Sequence, residues 1–220
     1  MPAPAKGPTS RQWEGFYRWT AHRPPRELLL QLLNHVAWEP RRRGRRTAVD
    51  LGCGAGTDSL ELLRRGWNVL AIDGEPASSR FLSRRVPPKL RDSLTCLIAP
   101  MEGLVVPPAD LVYASFSLPF CAPDRFPALW SSLRRAIRPG GHFAGQLFGV
   151  GDEWHESGRA LSFHSARQVR ELARGFEVEL WRETVEEGMS YGGPKHWHYF
   201  DLILGKPPRS SHRRRAPPGR

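Results

Sequence analysis

The chain has 220 residues, 40% apolar and 25% charged, with a net charge of +11. That length suits one domain with a sizeable core. No apolar run approaches the roughly 20 residues of a membrane span, and the N-terminus lacks a secretory signal's apolar stretch, so the expected location is cytoplasmic with no membrane partner. The three cysteines, Cys53, Cys96 and Cys121, are too scattered for a disulfide framework, and without a CxxC pair no structural zinc is expected.

The charge divides as +7 over residues 1–46, −2 over 47–205 and +6 over 206–220. The basic excess therefore lies in the flanks, whereas a nucleic-acid platform would carry it on the folded face. Residues 1–46 read as an N-terminal segment and helix capping the site, 47–205 as the main domain, and 206–220 as a basic, disordered tail.

Residues 1–24 are punctuated by Pro and Gly and rich in aromatics: Trp13, Phe16, Tyr17 and Trp19. Leu28, Leu29, Leu32, Leu33 and Val36 recur at helical spacing, which predicts a helix over Arg26–Trp38 with Pro24 and Pro25 in its first turn. Arg41–Arg46 reads as a solvated loop. Strands follow at Thr47–Leu51, Asn68–Ile72, Leu94–Ile98, Leu111–Ser115 and His142–Phe148. Helices alternate with them at Gly56–Arg65, Glu75–Arg85, Ala128–Ile137 and Ser165–Arg174. The last helix starts at a capping box, Ser165 with Gln168. Phe176–Trp181 and Trp197–Leu204 close the pattern as an antiparallel pair joined by Glu186–Pro194. Such alternation gives an α/β fold, a mostly parallel sheet with helices on both faces.

The segment Asp50-Leu-Gly-Cys-Gly-Ala-Gly-Thr-Asp58 carries the chemistry. A strand runs into a glycine-rich turn, where Gly52, Gly54 and Gly56 allow a sharp bend and close ligand approach. Asp73 ends the second strand, where an acid can accept hydrogen bonds from both hydroxyls of a ribose. Together these specify a nucleoside-containing cofactor. The spacing is GxGxG rather than the GxGxxG of dinucleotide sites, and Asp50 would repel a pyrophosphate but suits a cationic amino acid or sulfonium. S-adenosylmethionine (SAM) is favoured over NAD.

Val49-Asp-Leu-Gly-Cys-Gly-Ala-Gly56, then Ala71-Ile-Asp-Gly-Glu-Pro76, then Arg134-Arg-Ala-Ile-Arg-Pro-Gly-Gly-His142 resemble class I SAM-dependent methyltransferases over about residues 47–205. Asp50 to Leu60, with Tyr17 and Thr20 before the first helix, is most similar to small bacterial enzymes like the tellurite-resistance methyltransferase. The resemblance implies a Rossmann-like, seven-stranded, mostly parallel sheet with an antiparallel edge hairpin. It implies SAM as methyl donor and S-adenosylhomocysteine as product. Gly52, Gly54 and Gly56 would line the methionine portion, Asp50 would hold the amino group, and Asp73 the ribose, with Gly74 beside the adenine. Pro100 stands where many members have Asp, so Met101, through its N–H, and Glu102 are the candidates for that contact. Ser115 and Phe116 match the position facing the sulfonium and acceptor.

Methyl transfer needs positioning and exclusion of water more than a strong base, and no catalytic residue is singled out. Candidates on the acceptor side are Tyr17, Trp19, Arg23, Phe120, Asp152, Trp154, His164, His196 and His198. Residues 149–162 are long enough for a lid. His196 and His198, two apart on a strand, face one side and could hold a metal or deprotonate an acceptor, although ordinary hydrogen bonding is the plainer reading. The Asn/Asp-Pro-Pro-Tyr/Phe motif of nucleic-acid amino-methylating enzymes is absent, replaced by Ser115-Phe-Ser-Leu118. A small-molecule acceptor is therefore the first expectation, with a monomer or homodimer. The alternatives are a nucleic-acid (RNA) methyltransferase using the basic flanks, a non-catalytic SAM-binding protein, and an NAD-dependent oxidoreductase.

Overall fold

A computed structural model describes residues 8–35 and 44–208. In chain order the elements are α1 (Ser10–Thr20), α2 (Glu27–His35), β1 (Thr47–Leu51), α3 (Thr57–Arg64), β2 (Asn68–Asp73), α4 (Pro76–Arg85) and β3 (Leu94–Ile98). There follow β4 (Ala109–Ala114), α5 (Phe126–Ala136), β5 (Ile137–Gly149), β6 (Phe163–His164), α6 (Ala166–Ala173), β7 (Glu177–Ser190) and β8 (Gly193–Gly205). The sheet order is β3-β2-β1-β4-β5-β8-β7, with β6 also pairing β5. Only β8 runs against its neighbours β5 and β7; the remaining pairings are parallel.

Two apolar layers hold the sheet. On one face α5 and α6 bury Phe126, Trp130, Leu133 and Val169 against Val112, Phe143, Leu147 and Phe200. On the other, α2, α3 and α4 bury Leu28, Leu32, Leu60, Leu63 and Leu82 against Ala48, Val69, Leu111 and Ile203. The parallel strands thus end together on one side, and the loops that follow β1, β2, β3 and β4 form the crevice where α/β sheets bind ligands.

The fold matches the expected class, with six local differences. Residues 10–20 are helical: Thr9 and Gln12 form a capping box, and Trp13, Phe16 and Tyr17 stack at helical spacing on one face. Pro24 and Pro25 precede α2 instead of forming its first turn, and the expected end of that helix, 36–38, lies outside the described residues, as do 41–43 of the arginine loop, the first seven residues and 209–220. Arg138–Gly141, which falls between the expected helix Ala128–Ile137 and strand His142–Phe148, belongs to β5 as a distortion, because five steps along β5 oppose two along β4. The Glu186–Pro194 connection is mostly strand, since β7 and β8 pair out to Ser190↔Gly193 and leave Tyr191-Gly192 as the turn. An eighth, two-residue strand, β6, is added. Lys206, assigned above to the tail, is tied to the sheet: its ammonium donates to the carbonyls of Arg134 and Ile137.

Candidate functional site

Gly52, Gly54 and Gly56 take φ of 71°, 53° and 77°, the left-handed region. A Cβ at Gly52 would lie 2.2 Å from that of Ser117, and one at Gly56 2.5 Å from a Leu82 methyl. The turn is therefore both strained and crowded for any other residue. Ser117 Oγ donates to the Leu51 carbonyl at 2.5 Å, and Arg85 donates to the Ala55 carbonyl at 2.8 Å, so the loop is fixed from two sides.

Asp73 stands where β2 ends. Its Oδ2 accepts the Gly54 N–H at 2.8 Å; its Oδ1 accepts the Glu75 N–H at 3.0 Å and the Tyr17 hydroxyl at 2.8 Å. Two backbone donors aim the carboxylate into the crevice. Tyr17 on α1 also reaches it, and burial together with Asp73 pushes this phenol far above its ordinary pKa, so it stays protonated and donates to the carboxylate. Gly74 has open space beside it, the nearest atom to an added Cβ being the Ala99 carbonyl at 3.9 Å. Ile98, 52% exposed, pairs directly with Asp73 and lays uncovered apolar surface next to the acid. Met101 is partly buried against the core, and Glu102 is exposed, accepting a long bond from the Ala122 N–H at 3.5 Å.

Beneath the glycine turn lies a buried charged group. Asp50 accepts the Ser59 hydroxyl at 2.6 Å, and burial plus nearby Asp58 push its carboxyl up to about 7. Asp58 takes both Nη atoms of Arg23, at 3.1 and 2.6 Å, and the Arg26 N–H at 2.9 Å. Arg23, a predicted substrate contact, is thus committed to the fold, joining the segment before α2 to α3. Cys53 packs against Ser78, and burial raises its thiol well above the ordinary range. Burial likewise raises Cys121 to about 11, so neither cysteine is an activated thiolate.

The end of β4 turns sharply at Phe116, whose φ of 50° is the one positive value among the described non-glycine residues. Such a conformation costs on the order of 1 kcal/mol or more and persists only where its surroundings impose it. Here a buried chain does so. The Phe116 N–H donates to Gln146 Oε1 at 3.1 Å, and Gln146 Nε2 donates to Asp201 Oδ1 at 2.8 Å. Arg182 clamps Asp201 through Nε at 2.8 Å and Nη2 at 2.7 Å.

Phe116 opens into a box of rings. Its centroid lies 5.2 Å from Tyr199, 5.9 Å from Trp197 and 6.3 Å from Phe148. Phe148 and Trp197 both meet Trp154, at 5.9 Å each. Trp154 meets Phe120 at 6.4 Å, Phe120 meets Trp13 at 5.0 Å, and Trp13 stacks on Tyr17 at 6.1 Å. A continuous path of aromatic contacts therefore links Tyr17 at Asp73 with Phe116. Lys195, 2% exposed, puts its ammonium 3.6 Å from the Trp197 centroid and 2.5 Å from Asp152 Oδ2. Asp152 also accepts the N–H groups of Trp154 and His198, which pins the start of the 149–162 connection to β8.

Tyr17, Phe116, Phe120 and Trp154 thus fall on one connected surface. Ser115 adjoins it, with its hydroxyl buried and unpartnered. Trp19 is 56% exposed and packs on Tyr191 at the hairpin turn. His196 and His198 do share a face, but each is occupied there, His196 with Glu187 at 2.6 Å and His198 with Glu183 at 3.0 Å. Their neighbours Lys195, Trp197 and Tyr199 take the opposite face, where the box lies. His164 is buried against Phe126 and its pKa falls to about 4, which keeps it neutral. Sequence reasoning missed Arg26, Gln146, Trp197 and Tyr199. Strand parity was the available signal for the last two; nothing in the sequence alone marked the others.

An open α/β sheet whose first strand ends in a crowded glycine turn, and whose second ends in an acid held by backbone N–H groups, defines a nucleoside-cofactor-binding domain. Comparison with known proteins narrows the class. Residues 48–141 match the model of a methyltransferase domain family. The chain is 36% identical over 77 residues to magnesium-protoporphyrin O-methyltransferase of Rhodobacter capsulatus, covering 34% of each protein. It is 30% identical over 155 residues to carboxy-S-adenosyl-L-methionine synthase of Citrifermentans bemidjiense, covering 62% of each. The chain thus spans about a third and 62% of the lengths of these curated relatives. Among solved structures, TehB of Haemophilus influenzae superposes with a TM-score of 0.70 at 14% identity, over 89% of this chain and 67% of that one. The 1,6-didemethyltoxoflavin N1-methyltransferase of Burkholderia thailandensis gives 0.64 at 18% identity, over 93% and 94%. Over residues 48–141 the chain thus resembles a methyltransferase domain, and it shares the fold of TehB and of the Burkholderia enzyme.

Proposed function

We propose that the protein transfers a methyl group from SAM to a small-molecule acceptor. The observation that carries the reading is the Asp73 carboxylate, fixed by the Gly54 and Glu75 N–H groups beside a glycine turn whose φ values exclude other residues. These residues fit SAM. Asp73 would take the ribose hydroxyls and the turn the methionine portion, while Gly74 and Ile98 leave room and apolar surface for adenine. Asp50, already short of a counter-charge, would gain one from the amino group, directly or through water. Bound SAM supplies an activated methyl group for in-line displacement.

The chain's own contribution is placement. A carboxylate offers about four lone-pair sites, and Asp73 already uses three. Two ribose hydroxyls therefore require the Tyr17 hydroxyl to withdraw, which couples cofactor entry to a shift of Tyr17 on α1. Phe116, locked by Gln146, Asp201 and Arg182, gives a rigid wall at the far end, and the ring box excludes water from it. The box is built of aromatic rings, a usual lining of small-molecule sites; this supports a small acceptor over nucleic acid. The Burkholderia enzyme, by its name an N1-methyltransferase of 1,6-didemethyltoxoflavin, has the same fold.

The test is to incubate the protein with methyl-tritiated SAM and cell extract, then separate low-mass, nucleic-acid and protein fractions. Label in the low-mass fraction is expected. Label confined to RNA or DNA would overturn the small-molecule reading, and SAM binding without label anywhere would make the protein a non-catalytic binder.

A further inference from the structure

Among the described residues, Arg26 is a partly buried cation that the fold leaves without an ion pair. Its backbone N–H is bonded to Asp58, but its guanidinium has no hydrogen-bond or ion-pair partner among the described residues, and its Nε is buried with none. Asp58, the nearest acid, is already engaged by both Nη atoms of Arg23. Burial and the neighbouring Arg23 charge push the Arg26 pKa down, against the opposing pull of Asp58. The Arg26 side chain is partly buried, and burying its Nε without a partner carries a desolvation cost that a ligand oxygen would offset.

The surroundings say what the missing partner would be. The Arg26 guanidinium carbon sits 4.9 Å from the Phe116 centroid. Tyr113 and Tyr199 lie within electrostatic reach, and Trp197 closes the other side of Phe116. The Ser115 hydroxyl, next in chain to Phe116, is likewise buried without a partner. One unpaired cation and one idle hydroxyl thus border a wall made of rings. Rings offer faces and edges to another flat ring, and the guanidinium offers paired donors to an oxyanion.

Building on the methyltransferase reading, we infer that Arg26, with Ser115, seats an oxyanion borne by a flat aromatic acceptor, a carboxylate or phenolate on its ring. The methionine carboxylate of the cofactor presents the same chemistry. The aromatic neighbours of Arg26, and its stacking on the acceptor wall rather than on the glycine turn, favour the acceptor.

The test uses calorimetry on the full chain. S-adenosylhomocysteine and methylthioadenosine, which lacks the carboxylate, are titrated first. Then 2-naphthoate and its neutral isostere 2-naphthamide are titrated into the S-adenosylhomocysteine-loaded protein. Wild type is expected to bind the acid about tenfold more tightly than the amide, the order set by a charge-assisted hydrogen bond. Arg26→Gln erases that preference and leaves S-adenosylhomocysteine affinity unchanged, while Arg26→Lys, which keeps the charge, retains part of it and serves if the glutamine variant fails to fold. Equal affinity of wild type for acid and amide, or no binding of either, overturns the inference. So does a variant that loses S-adenosylhomocysteine but not methylthioadenosine, since the oxyanion would then be the cofactor's. Failure of wild type to bind S-adenosylhomocysteine at the first titration removes the methyltransferase reading itself, and the inference with it.

Discussion

Around Asp73 the groups aimed at a ligand are backbone N–H groups and one carboxylate, delivered by the short run from β1 to the start of α4. Around Phe116 they are side chains brought from far apart: Arg26 before α2, Gln146 and Phe148 on β5, Trp154 in the following connection, and Trp197 and Tyr199 on β8. The first end needs glycines and one acid at fixed spacing, so local chain geometry nearly suffices. The second exists only once β8 lies beside β5, because the Phe148↔Tyr199 register is what gathers the rings. The chemistry of one end is set by construction of the turn, that of the other by the side chains that line it.

The comparison predicts where substitutions act. At the acceptor end the largest effect falls on the Lys195–Asp152 pair, whose side chains are 1% and 0% exposed. Lys195→Met leaves Asp152 buried and uncompensated, and destabilisation of about 3–5 kcal/mol is expected by denaturant titration. Adding Asp152→Asn, which keeps an acceptor for the Trp154 and His198 N–H groups, recovers much of it. A single variant as stable as wild type would mean that the ammonium does not pin the 149–162 connection.

At the cofactor end, Asp50 has a carboxyl raised from its ordinary 3.8 to about 7. Its protonated form is the one the fold favours. Its contribution to stability is therefore full below about pH 4, is lost as pH rises to about 7, and is constant above that. Asp50→Asn should remove this slope and be more stable than wild type at pH 8, by on the order of 2–4 kcal/mol. Parallel stability curves for the two proteins between pH 4 and 8 would place the Asp50 pKa near its ordinary value.

The smallest effect has an unusual sign. If the Tyr17 hydroxyl must leave Asp73 for a ribose to enter, Tyr17→Phe tightens S-adenosylhomocysteine binding by about 0.5–1 kcal/mol, the net worth of one hydrogen bond. Weaker binding by the variant would mean that the hydroxyl contacts the cofactor rather than competing with it.

The same contrast explains what the sequence disclosed. The β1–turn–α3 and β2–Asp73 units are contiguous, and their apolar runs, glycines and acid could be read directly. Helix α1 was hidden because its exposed, polar flank and the surrounding Pro and Gly diluted the apolar spacing, though the Thr9–Gln12 box marks its start. The hairpin was underestimated because β7 lies at the sheet edge and its outer half carries Glu183, Thr184, Glu186, Glu187 and Gly188, so polarity imitated a loop. In β8 the histidines drew attention as the groups with chemistry, yet strand parity turned them to Glu183 and Glu187 and gave the site to Trp197 and Tyr199. Arg26 could not be singled out, because being unpaired is a property of three-dimensional neighbours and not of composition.

Asp73 carries the central claim, and titration calorimetry with S-adenosylhomocysteine on wild type and Asp73→Ala tests it most directly. Wild type should bind, and the folded variant should bind about 1–3 kcal/mol more weakly, as expected for the loss of charged hydrogen bonds to the ribose. Equal affinity in the two proteins, or no binding by wild type, would contradict the account.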